Sequence, residues 1–482
     1  MKQPKYASVE NAPLVKLVPS CMNLNVNFGY TNWVSGRQLN CQPSFGCSAE
    51  FSVRFFERVY VPFLTGISKL DCVMPTLLLS MFSLLFSAAI LLVGHGLQLT
   101  LVPLYALSLE WEPALIGYIG SSYFVGFVLG CLTVPRLVAK VGHIRVFTVL
   151  IALTTTSLLM IGLVDHFIFW MAARCLTGWA LAGIYMVIES WLNDKTTVEH
   201  RGGILSVYII ITLLAICVGQ LLVGFDIGFE GLFMLAAALL VLGIVPIGLT
   251  TSPVPHPIPA VSFSFSRVFA VSQVAMVGAF FGGLVTGGFW ALGPVVANAN
   301  DLSAGQIGIF MAVTILGGTA LQFPVGRLSD RIDRRLVITG LSVLAVCTSV
   351  VAIFFGNTSP IFIYITMFAL GGLTFPLYSL CLAHANDNTD LSIMEVGSGV
   401  LMMNSLGSIL GPLIVSFLLA YTNHALFIVS GLALSILACW TIYRIRFHDV
   451  ARDHFEPFVS IRNTTQEIVE VGLENEEQSS AT

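Results

Sequence analysis

Three titratable residues stand inside long apolar runs, and each could do chemistry there: Arg174, Glu189 and His95. Arg174 is the one Lys or Arg placed well within any such run. On membrane-insertion scales a cation at that depth costs at least roughly 2.5–3.5 kcal/mol, so it must face a cavity or a partner. It would bind an anion or assist proton movement beside a carboxylate; the plainer reading is a structural cation satisfied by backbone carbonyls near the outer interface. Glu189 follows fifteen residues later, about 22 Å at helical rise and too far for a direct pair. It reads either as a gate that bridges Arg136 or Arg145 when the inner side is closed, or as a carboxylate that titrates in the membrane. His95 is the third titratable candidate. Gln98, Tyr185, Trp290 and Tyr378 are further polar or aromatic groups in apolar surroundings, as are Tyr123, Gln220, Gln322 and Asn404. Taken singly, each is explained as well by an interhelical hydrogen bond or an interface aromatic.

Other chemistries find no footing. The sequence has no phosphate-cradling glycine loop, no nucleophile elbow and no His/Cys cluster at metal-ligand spacing. It therefore predicts no metal, no cofactor, no ATP-driven step and no enzyme. Six of the ten cysteines (Cys131, Cys175, Cys217, Cys347, Cys381, Cys439) lie in apolar runs, where they act as small hydrophobes. Cys41 and Cys47 could pair only in an oxidising compartment.

The elements that must hold these residues are membrane helices. Of 482 residues 56% are hydrophobic and 10% charged, with a mean hydropathy of +0.88. A water-soluble chain of this composition would lack the polar surface to cover its core, so the bilayer is the solvent. The net charge of −4 argues against a nucleic-acid partner. Twelve segments reach the roughly 20 apolar residues a spanning helix needs. They are 75–104, 113–135, 144–164, 167–191, 203–224 and 231–250, then 269–298, 304–326, 336–356, 360–384, 397–421 and 424–443. The sequence thus predicts an all-α polytopic membrane protein. Residues 1–74 hold no spanning segment and read as a cytoplasmic extension or as sequence upstream of a true start at Met74. Residues 251–268 include Ser252-Pro-Val-Pro-His-Pro-Ile-Pro259, a linker that prolines keep extended. Residues 444–482 are a tail whose end is acidic.

Orientation follows from the basic residues. Even-numbered connections carry Arg136, Lys140, Arg145, Lys195, Arg201, Arg267, Arg327, Arg331, Arg334 and Arg335. Odd-numbered ones carry Glu110, Glu112, Asp165, Asp226, Glu230 and Asp301 and no Lys or Arg. Both termini are expected in the cytoplasm.

The chain also repeats itself. Pro294 and Pro103 lie 191 residues apart (294 − 103), as do Ile307-Gly308 and Ile116-Gly117, and Arg327-Leu328 and Arg136-Leu137. Asn386-Asp387 and Asn193-Asp194 lie 193 apart. An even number of helices per copy brings both copies in from one side, the parallel-repeat arrangement with a site between the halves.

The stretch Gly326-Arg-Leu-Ser-Asp330-Arg331-Ile-Asp-Arg334-Arg335 sets six charged residues in ten. It resembles the signature that the major facilitator superfamily of secondary transporters carries between helices 2 and 3 and again between helices 8 and 9, with Asp333 where that family usually has glycine. In the first-half copy Pro135 replaces glycine and Ala139 the acid, while Lys140, Gly142 and Arg145 persist. Arg174-x-x-x-Gly178 is similar to the family's helix-4 motif. Leu101-Val-Pro-Leu104, Ile116-Gly-Tyr-Ile-Gly-Ser-Ser-Tyr-Phe124 and Val187-Ile-Glu189-Ser resemble the uncharacterised bacterial YcaD-like permeases. Helix 5 departs from the family's drug exporters, reading Ala215-Ile-Cys-Val-Gly219-Gln220 where they carry Gly-Pro-x-x-Gly-Gly.

The resemblance implies twelve transmembrane helices in two pseudo-symmetric six-helix bundles, 75–250 and 269–443. It implies a monomeric, multi-pass protein of the bacterial inner membrane that moves a small molecule by alternating access. With no ATP site the driving force is an ion gradient or the substrate's own, and Arg174 with Glu189 motivates coupling to protons. A transport-inactive receptor or scaffold on the same fold is the alternative. It places helices 1, 4, 7 and 10 around the cavity, which favours His95, Gln98, Tyr185, Trp290 and Tyr378 beside Arg174 and Glu189 as the substrate and proton pathway. Arg136, Lys140, Arg145, Gly326, Asp330, Arg331, Arg334 and Arg335 become gating loops, with Asp330 capping helix 5 near Gly202-Gly203 as a latch.

Overall fold

The computed structural model describes residues 81–249, 269, 272–387 and 393–447, leaving out 195, 197, 357 and 358; for 198–203, 393 and 394 it describes the backbone only. The extension 1–74, the linker 251–268 and the tail beyond 447 lie outside the described residues; at Gly202-Gly203, the expected cap site of helix 5, the described backbone is already helical, the helix beginning at Val198. Twelve described helices are long and apolar enough to cross a membrane, and the described residues hold no strand. They are α1 (Phe82–Ser108), α2 (Pro113–Val141), α3 (His143–Ile161), α4 (Phe167–Asp194), α5 (Ile204–Gly224), α6 (Gly228–Gly248), α7 (Gln273–Ala299), α8 (Ala304–Ser329), α9 (Arg334–Phe355), α10 (Pro360–Asn386), α11 (Glu395–Leu419) and α12 (Ala425–Phe447).

Local chemistry fixes the ends. A capping box of Ser303 and Gln306 starts α8, the Asp333 carboxylate accepts the Arg335 N–H at 2.9 Å to start α9, and Ser359 with Pro360 starts α10. Pro135 does not end α2, contrary to the sequence boundary: the helix runs on to Val141 and stops at Gly142, whose φ of 93° no helix continues. α10 is interrupted at Phe375, before Pro376.

The repeat is written in the backbone. Glu110 and Asp301, 191 residues apart (301 − 110), are the only described non-glycine residues with positive φ, at 58° and 60°. Each closes its turn with the same bonds. Glu110 N–H donates to Leu107 and Trp111 N–H to Ala106; Asp301 N–H donates to Asn298 and Leu302 N–H to Ala297. Packing repeats as well: α1 on α5 and α6 matches α7 on α11 and α12, and α2 on α4 matches α8 on α10. In the last pair of crossings Gly126 lies against the Cys175 carbonyl and Gly317 against that of Phe368, too close for any Cβ. The first six helices meet the last six chiefly through α2 on α11 and α5 on α8, contacts that the repeat also exchanges.

Candidate functional site

Between the two sets lies a cavity of about 1280 Å³ of atom-free space, its open mouth included. α1, α2, α4 and α5 line it on one side and α7, α8, α10 and α11 on the other. Arg174 and His95, both from the first set, are the cationic or protonatable nitrogen bases among the lining residues, and none of these is Asp, Glu or Lys. The second set supplies Trp290, Phe375, Tyr378, Gln322, Asn404 and hydroxyl side chains.

Arg174 sits seven residues into α4, about 10 Å from its first turn, and is 4% exposed. Its guanidinium carbon lies 4.8 Å from the centroid of the Tyr123 ring, a cation–π contact. The His95 imidazole stacks on the same tyrosine, centroids 6.4 Å apart and planes 19° from parallel. Arg174 Nη1 has no hydrogen-bond partner among the described residues. Across the cavity Trp290 and Phe375 stack at 5.9 Å and 29°.

On the side of Glu110 and Asp301, here the acidic side, the two sets close on each other. Ser121 Oγ donates to the Ile409 carbonyl at 2.7 Å. A Cβ on Gly120 would come within 2.5 Å of Ala291 Cβ, and one on Gly308 within 2.5 Å of the Gln220 carbonyl oxygen. Gly117, which the repeat pairs with Gly308, meets Ser416 and Pro412. Backbone-close seams of this kind admit only glycine. Arg174, Gly120 and Ala291 border both the main cavity and a smaller void toward this seam.

The opposite, basic side is built differently in the two sets. Arg334 and Arg335 are not solvated loop cations: they form the first turn of α9 and are 1% and 7% exposed. Arg334 Nε lies 2.8 Å from Asp387 Oδ2 at the end of α10, and Arg334 Nη2 lies 3.7 Å from Asp330. Arg335 Nη2 lies 2.8 Å from Asp333 Oδ2. Burial alone would raise the Asp333 carboxyl, but the hydrogen bonds and charge of Arg335 hold it below the usual carboxylate range. Arg331, by contrast, is exposed, as are Arg136, Lys140 and Arg145 in the first set.

A family model of the Major Facilitator Superfamily matches residues 84–270 and 275–465. The chain belongs to the major facilitator superfamily. It is 28% identical over 361 residues to the uncharacterized MFS-type transporter YcaD of Escherichia fergusonii, a match covering 74% of this chain and 92% of that one. Among solved structures it resembles a mutant of the nucleoside transporter NupG, with a TM-score of 0.62 and 15% identity over 76% of this chain and 99% of that one. It also resembles a bacterial homolog of the human lysosomal transporter Spinster in an inward-facing, occupied conformation, with a TM-score of 0.56 and 15% identity over 76% of this chain and 96% of that one. At these identities the two structures speak for the fold alone.

In this superfamily member the cavity gathers five of the seven pathway residues read from sequence: His95, Arg174, Tyr185, Trp290 and Tyr378. Two stand elsewhere. Gln98 is wholly buried in packing, with neither amide atom hydrogen-bonded among the described residues. Glu189 is 3% exposed on α4 and outside the lining residues, because fifteen residues of helix carry it toward the basic side. Emphasis on helices 1, 4, 7 and 10 missed the contribution of the other four. Tyr123, Asn404 and Gln322 were visible as polar groups in apolar runs, whereas Phe124, Phe127 and Phe375 gave no signal beyond hydrophobicity.

Proposed function

We propose that this protein is a secondary active transporter, not an enzyme, that carries a small molecule across the bacterial inner membrane by alternating access, coupled to protons. The observation that carries this reading is the cavity between two repeated sets of helices, sealed on the acidic side by the Gly117, Gly120 and Gly308 contacts. Sets that touch through glycines against small side chains and backbone can separate and re-dock without repacking long side chains, the rigid-body rocking of parallel-repeat transporters. With the basic loops in the cytoplasm, the state described here is closed to the outside, and both termini lie inside. The working unit is a monomer.

Arg174 is the binding group of the cavity, and Glu189 the group whose protonation links the cavity to the basic-side gate. To test coupling, counterflow and proton-driven uptake are compared in vesicles holding wild type, Glu189→Gln or Arg174→Ala. Loss of driven accumulation with counterflow retained in Glu189→Gln is expected; undiminished driven accumulation in both variants removes the proton from the scheme.

A further inference from the structure

Building on the transporter reading, we propose that the cavity is specific for aromatic monocarboxylates, with the carboxylate on Arg174 and the ring held between Tyr123 and the Trp290–Phe375 stack. The charge comes first. The lining residues include one arginine and no Asp, Glu or Lys. That arginine is 4% exposed, and its Nη1 has no hydrogen-bond partner among the described residues. Tyr123 meets one face of the problem with its ring, 4.8 Å from the guanidinium carbon, but a π cloud does not take up the N–H donors. A guanidinium presents five of these in a planar fork that a carboxylate satisfies two at a time. A cationic ligand would meet like charge with no counter-ion, and a neutral one would leave the fork unfilled.

One permanent cation suits one negative charge. A dianion would bring a second charge into a cavity with no second permanent cation to meet it.

The body of the ligand follows from the remaining walls. Trp290 is half-buried at the cavity surface and stacks on Phe375 at 5.9 Å, and Phe124, Phe127 and Tyr185 add further rings. Such walls favour a flat unsaturated ring over an inorganic anion or a short aliphatic acid.

The position of Arg174 gives binding a mechanical consequence. Arg174, Gly120 and Ala291 border both the main cavity and the void beneath the acidic-side seam. A carboxylate seated there touches the junction of α2, α4 and α7, the helices that open when the seam parts.

The test uses the full chain, purified and reconstituted, with ligand binding followed by calorimetry and tryptophan fluorescence. The probes are benzoate, phenylacetate, benzamide, benzylamine, acetate and chloride. Benzoate and phenylacetate are expected to bind and the other four to bind at least tenfold more weakly. Arg174→Gln should weaken the aromatic acids about 10- to 100-fold, the worth of a charge-assisted hydrogen-bonded pair, with Arg174→Lys in between. Trp290→Leu should weaken benzoate more than acetate, and carries the test with Arg174→Lys if Arg174→Gln does not fold. Benzamide or benzylamine binding as tightly as benzoate, chloride or acetate matching it, benzoate unaffected in the Arg174 variants, or neither acid binding at millimolar concentration would each overturn the proposal. The same probes in vesicle counterflow separate the two readings. Benzoate that binds through Arg174 without counterflow sinks transport and keeps the site; counterflow of a neutral solute with no benzoate binding sinks the site and keeps transport.

Discussion

The two sets of six helices share a backbone and divide the charge between them. In the first set the charge-bearing groups Arg174 and His95 face the cavity, while its basic-side loop holds the exposed Arg136, Lys140 and Arg145 around Ala139. The second set differs: its cavity wall is neutral and aromatic, and beside the exposed Arg331 its basic side holds two buried arginines in ion pairs, Arg334 with Asp387 and Arg335 with Asp333. Turn geometry at Glu110 and Asp301 and the seam glycines Gly117 and Gly308 are the same in both. The repeat therefore dictates how helices cross, and individual side chains decide which half recognises and which half locks. A duplicated fold gains a specific site only when the copies stop being equivalent.

The comparison breaks most sharply at Arg334. Arg334→Met strands Asp387, 6% exposed, without its cation, and removing one partner of a buried pair costs about 3–5 kcal/mol. Thermal unfolding in lipid–detergent micelles should show that loss, and the double variant with Asp387→Asn should recover part of it. A double variant no better than the single would mean that the pair is not what holds α9 to α10.

Asp333 gives a middle effect with a pH signature. It caps α9 and pairs with Arg335, so Asp333→Ala should cost about 0.5–2 kcal/mol, the range for a lost cap. Its folded carboxyl titrates below the ordinary value of 3.8, so its contribution is fully present above that value and fades as pH falls through the depressed folded one. Unfolding of wild type and variant should therefore differ at pH 7 and converge in acid. The smallest effect belongs to the first set: Lys140→Ala and Arg145→Ala, both exposed, should change stability by no more than about 0.5 kcal/mol. A loss like that of Arg334 would erase the contrast between the halves.

Much of this was legible in the sequence, for physical reasons. Apolar length gives away spanning helices, and landmarks such as Pro103 and Pro294 stand at one offset because they occupy equivalent positions inside α1 and α7. Arg174 stood out because a cation amid apolar residues is costly wherever it points. Arg334 did not, since a basic run between two apolar segments reads as solvated and its partner Asp387 is 53 residues away (387 − 334). Glu189 was singled out by charge alone, and charge does not say which face of α4 it occupies. The seam glycines Gly117 and Gly308 stood out only as landmarks of the repeat, because spacing cannot say which helix, in which half, they approach.

Rocking of the two sets against each other is tested most directly by paired distances. Spin labels at Glu110→Cys and Asp301→Cys report the acidic side, and labels at Lys140→Cys and Arg331→Cys the basic side, in nanodiscs on a background with the other cysteines replaced. Gly120→Leu, which cannot fit against Ala291, is then added to each pair. The acidic-side distance should lengthen while the basic-side distance shortens; a longer acidic-side distance with the basic side unchanged, or both moving the same way, would contradict alternating access.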